Sequence, residues 1–520
     1  MRCLCPYHER DGDVASTEVM ESMIQSAWPG GAVRLLGPLV PSHPRDENAA
    51  PKNGFALPWG ASIGFKPRFL ALGSHTLTLD GRMSIMTNTA DMKFRDASLP
   101  IGERVADLVS RMTLDEKIAH LSEKSPAIER LGVPAFSFHG ECLHGLVNRG
   151  EATCFPQAIG LAATFDPALV QRIAGAIGRE ARAKFHDPIW NNPKAPAPTL
   201  AFWSPVINVL RDPRWGRAQE TYGEDPHLIS QMGAAFVRGL QGDHPRYLQA
   251  TACAKHLGAH SGPERLRRSF NAVVSLKDLH ETYLPAFRAL VEAGAESVMT
   301  TYNRVNGVHC CASPFLIQEF LRGQCGFQGH VDSDGGALGS LHTSHGITKD
   351  ALETAVVCLK AGCDMDVGMK AYPELPKALE QGFVTMADID RAVGRLLATR
   401  FKLGLFDDPQ TVPYAKIRSD VIVCKKHVAL AREAAVKSIV LLKNNGILPL
   451  GPDKRAICVM GPNAADLQVL VGNFYRTLAP RLVSILEGVL QAAPKGTVVT
   501  HMPGCFAAHP NLYDSTWHNG

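Results

Sequence analysis

Between about residue 130 and residue 405 the chain repeats one rhythm: a short apolar run ends abruptly in polar residues, and a stretch with helical spacing follows it. The runs are Pro134-Ala-Phe-Ser-Phe-His-Gly-Glu141, Phe202-Trp-Ser-Pro-Val-Ile-Asn208, Ala252-Cys-Ala-Lys-His256, Ser297-Val-Met-Thr-Thr-Tyr-Asn303 and His330-Val-Asp-Ser-Asp334. A parallel strand covered by helices on both faces is apolar throughout, so it reads as such a run. Strand–helix alternation over about 270 residues has the length and order of a (β/α)8 TIM-like barrel. In that fold the polar residues that close the strands gather at one face, where chemistry is done. An open doubly wound α/β sheet is the alternative, but it rarely needs so many units.

The rest of the 520 residues divides around this region. Residues 1–92 are expected to be a poorly structured extension. Segments such as Gly37-Pro-Leu-Val-Pro-Ser-His-Pro44 are rich in Pro, Gly and polar residues and sustain no period. Order is expected from 93 to 407. At its start Val105, Leu108, Val109, Met112, Ile118 and Leu121 recur at helical spacing. Thr113 and Glu116 between them offer a capping box, so two successive helices are predicted. The last helix runs to Gly404, a suitable C-cap. Residues 408–427 read as a linker. A second α/β domain is expected over 428–520, with a helix from Val428 to Ser438 and strands at Ile439–Lys443 and Ala456–Gly461. Too few residues remain to complete it, and 506–520 shows no clear element, so it reads as an incomplete sandwich.

Composition narrows the function. A net charge of +4 on this length gives no reason to expect a nucleic-acid partner. No run approaches the roughly 20 apolar residues of a membrane span, so no membrane partner is expected. No secretory signal is visible behind Met1, which points to the cytoplasm for the chain as given. Thirteen scattered cysteines form no zinc-spaced cluster, so no metal is expected. No glycine-rich phosphate loop appears, and no cofactor is implied.

The polar ends of the runs offer two carboxylates, Glu141 and Asp334, with Lys255, His256, Tyr302 and nearby Arg217 and Arg267. Carboxylates framed by cationic and hydroxyl donors suit a polyhydroxylated ligand. A carboxylate beside an anomeric carbon can attack it or stabilise an oxocarbenium-like transition state. Structural readings stand beside each. Asp334, followed by two glycines, could be a turn or helix-cap residue. Arg214 and Arg217 could simply pair with Glu220 or Glu224, and Tyr302 could be a packed aromatic. Asp364 and Asp366 close another run and read as structural carboxylates. Lysines that form Schiff bases also end barrel strands, which leaves a lyase through Lys255 as a third reading.

Taken together the segments resemble glycoside hydrolase family 3. The resemblance rests on Glu141-Cys-Leu-His-Gly145, Phe155-Pro-Gln-Ala-Ile-Gly160, Arg211-Asp-Pro-Arg-Trp-Gly-Arg217, Glu220-Thr-Tyr-Gly-Glu-Asp-Pro226, Lys255-His256, Tyr302-Asn-Arg-Val-Asn-Gly307 and Ser333-Asp334. It implies a barrel followed by a sandwich, and exo-acting hydrolysis with retention of terminal β-linked sugars from an oligosaccharide or aryl glycoside. Asp334 would be the nucleophile, and Glu141, Arg217, Lys255, His256, Arg267 and Tyr302 would hold the terminal sugar. Trp215 would pack beneath the site. Members of the family are often secreted or periplasmic. Glu141, where many β-glucosidases of the family carry Asp, implies β-xylosidase first and β-glucosidase second.

Departures from the family pattern count as well. Phe138-His139-Gly140 stands where this branch carries a tryptophan pair, which would weaken a stacking platform. Asp332 precedes Asp334 by two residues, so in a regular strand the two carboxylates would share a face and oppose each other's ionisation. No residue is assigned as general acid/base, because the family's glutamate falls beyond Gly520. A sugar-binding protein with impaired turnover is therefore the second reading.

Overall fold

The computed structural model describes residues 92–147, 150–187, 198–470 and 481–505. The extension expected over 1–92, save Met92, and the 506–520 stretch lie outside the described residues. The fold is α/β, built from short strands and longer helices.

The two predicted N-terminal helices form as Ile101–Arg111 and Leu114–Ala119. The boundary between them is set by the capping box: Glu116 N donates to Thr113 Oγ1 (3.3 Å) and Thr113 N to Glu116 Oε2 (2.8 Å). Strands β1 (Lys124–Ser125) and β2 (Phe136–Ser137) follow, then β3 (Ala201–Phe202), β4 (Thr251–Leu257), β5 (Asn271–Ala272) and β6 (Ser297–Thr300). Next come β7 (Arg304–Val305), β8 (Val308–His309) and β9 (His330–Asp332).

Strands β3, β4, β6 and β9 form a parallel sheet in that order. Every residue of these four strands is buried, as expected of apolar runs covered on both sides. Further backbone bonds extend the row. Trp203 N donates to Gly140 O, Phe138 N to Glu123 O, and Asp332 bridges Met365 in parallel. Asp366 N donates to Leu121 O (2.9 Å), which ties the last segment of the row to the first.

Strand β1 departs from the parallel rule by pairing antiparallel with β2. The intervening 126–135 segment holds one 3-10 turn, Glu129–Leu131, and is too short for a parallel crossover. On the outside, helices Pro167–His186 and Pro226–Gln241 pack closely because glycine lies between them. A Cβ at Gly239 would fall 2.2 Å from Gln171 O.

Beyond Gly404 (φ +75°), which turns the chain out of helix Met386–Lys402, come two 3-10 turns and helix Lys425–Ser438. That helix is tied back by Arg172–Glu433 and by His427 Nδ1 against Glu180 Oε1 at 2.8 Å. The strand expected at Ile439–Lys443 does not form: the segment is irregular and Leu442 is 92% exposed. A strand exists through its partners, and no described strand lies beside this one. The Ala456–Gly461 expectation is met by β10 (Ala456–Met460), paired in parallel with β11 (Val498–Met502). No described helix is long and apolar enough to cross a membrane.

Candidate active site

Because β2, β4, β6 and β9 run with the row, the residues at their C-terminal ends converge on one edge. Glu141 follows β2, Lys255 and His256 close β4, Tyr302 follows β6, and Asp334 follows β9. Adjacent residues of a regular strand point to opposite faces. Lys255 and His256 nevertheless both reach the site, because the β4–β6 pairing shifts register between Lys255 and Leu257.

Asp334 is the centre of the arrangement. Its Oδ1 accepts from Gly335 N (2.7 Å) and lies 3.1 Å from the Tyr302 hydroxyl, which is also 2.9 Å from Gly335 O. Its Oδ2 is buried and has no hydrogen-bond donor among the described residues. His256 Nε2 lies 3.5 Å from that oxygen. Burial, and then the Asp334 charge, raise the Tyr302 phenol above its ordinary range, so it stays a hydrogen-bond donor.

His256 is fully buried. Its Nε2 lies 3.0 Å from Arg217 Nη1, and its Nδ1 lies 3.1 Å from Asn208 Oδ1. Burial first, and the Arg217 cation next, hold the imidazole well below its ordinary value, so it is neutral. Arg217 is itself forked onto Glu220, with Nε–Oε1 at 2.9 Å and Nη2–Oε2 at 2.6 Å. Burial is the largest influence and opposes its charge, but the carboxylates of Glu220, Asp334 and Glu141 together outweigh it and raise the guanidinium. The structural alternative for Arg217, a pair with Glu220, is thus present, and it aims Nη1 at His256. Arg214 pairs with Asp212 at the surface.

Lys255 Nζ bonds Glu141 Oε1 at 2.7 Å, and both side chains are buried. Burial pushes the Glu141 carboxyl up, against the pull of Lys255 and then of Arg217. Arg267 sits further out, half-buried and paired with Glu264 Oε1 at 2.5 Å. Its charge still reaches His256 and Tyr302, so it belongs to the rim. Trp215 is buried with Leu143 and Val206, packed rather than presented.

The strand ends at Asp332, so the regular alternation that would set Asp332 and Asp334 on one face does not hold. Asp332 is buried against His330 Nε2 (3.3 Å) and Cys253 Sγ (3.8 Å), partners that Asp334 does not share. Burial, and then the Asp364 charge, push the Asp332 carboxyl well above its ordinary range, which disfavours a second negative charge beneath Asp334. At Phe138-His139-Gly140, His139 stacks on Trp203 from the next run, with ring centroids 4.5 Å apart. Asp364 and Asp366 are structural: the first is held by Arg322 and Arg395, the second by Ala371 N and Tyr372 N.

Residues that the sequence reading passed over support this set. Asn208 holds the 256–258 backbone, and His260 packs beside His256 with its Nδ1 3.0 Å from Asn303 Oδ1. The Arg268 guanidinium lies 4.9 Å over the Tyr302 ring. Asn208 closes an apolar run just as Tyr302 and Asp334 follow theirs, a signal that could have singled it out.

The family model described as the glycosyl hydrolase family 3 N-terminal domain matches residues 101–399, more than half of the chain. The chain belongs to that family. It is 40% identical over 421 residues to a xylan 1,4-β-xylosidase of Xylanibacter ruminicola, covering 80% of this chain and 48% of that protein. It is 43% identical over 408 residues to a probable β-D-xylosidase 7 of Arabidopsis thaliana, covering 74% and 52%. The chain thus spans about half the length of the curated relatives it matches. Among solved structures, a family 3 exo-β-xylosidase in complex with a xylobiose aziridine probe aligns with a TM-score of 0.74 at 32% identity, covering 81% of this chain and 55% of that one. A Listeria innocua β-glucosidase in complex with glucose aligns with a TM-score of 0.67 at 28% identity, covering 78% and 61%.

Proposed function

We propose that the chain carries the catalytic barrel of a retaining, exo-acting β-glycosidase that releases terminal xylose first and glucose second. Asp334 attacks the anomeric carbon, and the resulting glycosyl ester is hydrolysed by water. Residues 93–407 form a (β/α)8-type barrel in this reading, with 408–427 a linker and 428–520 part of a second α/β domain. The backbone bond from Asp366 to Leu121 supports the barrel, since it joins the two ends of the strand row.

One observation carries the assignment of Asp334. Its Oδ1 is fixed by Tyr302 and Gly335, while Oδ2 has no donor among the described residues and lies 3.5 Å from His256 Nε2. A nucleophile needs such a held but uncommitted oxygen. Glu141, Arg217, Lys255, His256, Arg267 and Tyr302 hold the terminal sugar through its hydroxyls. The names of the relatives favour xylose, and the glucosidases among the structural neighbours keep glucose second.

A second reading, a sugar-binding protein with impaired turnover, has its own support. Glu141 is paired with Lys255 and Glu220 is clamped by Arg217, so neither is placed to protonate a leaving group. Lack of such an acid costs roughly 10²–10⁴-fold. The Schiff-base reading gains nothing, because the Lys255 ammonium is engaged with a carboxylate.

Aryl β-xyloside and aryl β-glucoside test the proposal, since their leaving groups need little protonation. The wild-type chain is expected to hydrolyse both, the xyloside faster, and Asp334→Ala to lose this turnover. Equal rates from the two proteins would remove the enzyme reading.

A further inference from the structure

Asn208 is 2% exposed and gives its whole side-chain amide to residues 256–258. Nδ2 donates to His256 O (2.7 Å) and lies 3.3 Å from Gly258 O. Two carbonyl oxygens on that side fix the amide's orientation, so Oδ1 is the atom that faces His256 N (2.9 Å) and His256 Nδ1 (3.1 Å). An amide oxygen only accepts, and therefore Nδ1 carries the imidazole hydrogen. At the other end of the ring Arg217 Nη1, 3.0 Å from Nε2, only donates. Nε2 therefore carries none. Both partners demand the same tautomer.

The tautomer matters because Nε2 lies 3.5 Å from Asp334 Oδ2, the oxygen with no donor among the described residues. A hydrogen on Nε2 would oppose the Arg217 donor and place a positive hydrogen close to that oxygen, drawing charge from it. We propose that Asn208 is a positioning residue that locks His256 with its hydrogen on Nδ1 and so keeps Asp334 Oδ2 free to attack. The inference rests on Asp334 being the nucleophile, while its tautomer half stands on geometry alone. The groups facing His256 are Arg217, Lys255, Arg267 and His260, which all oppose its protonation, and Asp334, which favours it.

Asn208→Asp is close to isosteric and places a carboxylate at Nδ1, which favours the imidazolium. The cation then carries a hydrogen on Nε2, against the Arg217 donor and beside Asp334 Oδ2 at 3.5 Å. For aryl β-xyloside, kcat of this variant is expected to fall at least about tenfold on the acid side and to recover as pH rises through the raised histidine pKa. KM should change much less, and the wild type should show no such limb. Nitrogen-15 NMR of the full-length wild-type chain, with labelled histidines and His256→Gln to assign the signal, should show hydrogen on Nδ1 and none on Nε2. Hydrogen on Nε2 in the wild type, or a variant pH profile parallel to the wild type's, overturns the proposal. Should the wild type hydrolyse neither glycoside, the nucleophile reading fails, and the NMR result still decides the tautomer.

Discussion

The Tyr302 hydroxyl lies 3.1 Å from Asp334 Oδ1, and its single hydrogen is shared with Gly335 O at 2.9 Å. One carboxylate oxygen is thereby steered by two donors, Tyr302 and Gly335 N, and the other has no donor among the described residues. Removal of the hydroxyl in Tyr302→Phe loses a hydrogen bond to a charged group, about 1.5–3 kcal/mol. If the steering acts in the transition state, kcat toward aryl β-xyloside falls by roughly 10–100-fold. The ring still fills its buried place beneath Arg268, so urea denaturation should show no more than the loss of that one hydrogen bond. An unchanged kcat would show that the hydroxyl merely packs.

Glu220 and Arg217 form a buried fork, and the fork aims Arg217 Nη1 at His256. Glu220→Gln keeps the shape but leaves a buried guanidinium short of its counter-charge. Breaking one side of a buried pair costs about 3–5 kcal/mol, and the surviving amide oxygen favours the lower end. Chemical denaturation should show this loss, together with a fall in kcat/KM for the aryl glycosides. A stable variant with normal kinetics would make Glu220 irrelevant to the site.

The sequence made the strand ends legible because burial on both faces produces uniform apolar runs, and the polar residues closing them then stand out. Glu141, Lys255, His256, Tyr302 and Asp334 were all found that way, and the structure brings them together. What stayed hidden depends on partners remote in sequence. The antiparallel pairing of β1 with β2 follows from loop length rather than strand composition. Ile439–Lys443 has strand composition but no described neighbour to pair with. Spacing brought Asp332 close to Asp334 on paper, yet its carboxyl is pushed up by burial and Asp364, which no local pattern reports. The pair of Arg217 with Glu220 was readable as a structural alternative, but its second consequence, the contact with His256, was not.

A buried histidine gives a pH dependence with a definite sign. His309 is buried, with Nε2 3.0 Å from Ser340 Oγ and Nδ1 accepting from Cys311 N at 3.2 Å. Burial first, then neighbouring His345, push it down to about 3 from an ordinary 6.5. Between these values the unfolded chain binds a proton that the folded chain refuses. The stabilisation is therefore complete above about pH 6.5 and is lost as pH falls toward 3, at about 1.4 kcal/mol per pH unit. His309→Gln removes the titration, so the stability gap between wild type and variant should narrow by about 2 kcal/mol from pH 7.5 to pH 5. Urea midpoints that stay parallel over that range would show that His309 titrates alike in the folded and the unfolded chain.

Glu141 tests the preference between sugars. Its carboxylate bonds Lys255 at 2.7 Å, and its chain is one methylene longer than aspartate's. If that methylene crowds the space of a glucose hydroxymethyl group, Glu141→Asp should raise the ratio of glucoside to xyloside kcat/KM. A methylene is worth about 1–3 kcal/mol of discrimination, so a change of roughly tenfold is expected. Both absolute rates should fall, because the shorter side chain reaches Lys255 less well. Length and charge are separated by Glu141→Gln, which keeps the methylene and discards the ion pair. That variant should lose activity toward both substrates in similar proportion and leave the ratio unchanged. A ratio that moves as far in Glu141→Gln as in Glu141→Asp would assign the preference to the Lys255 pair, and with it the position of the sugar, instead of to the room the side chain takes up.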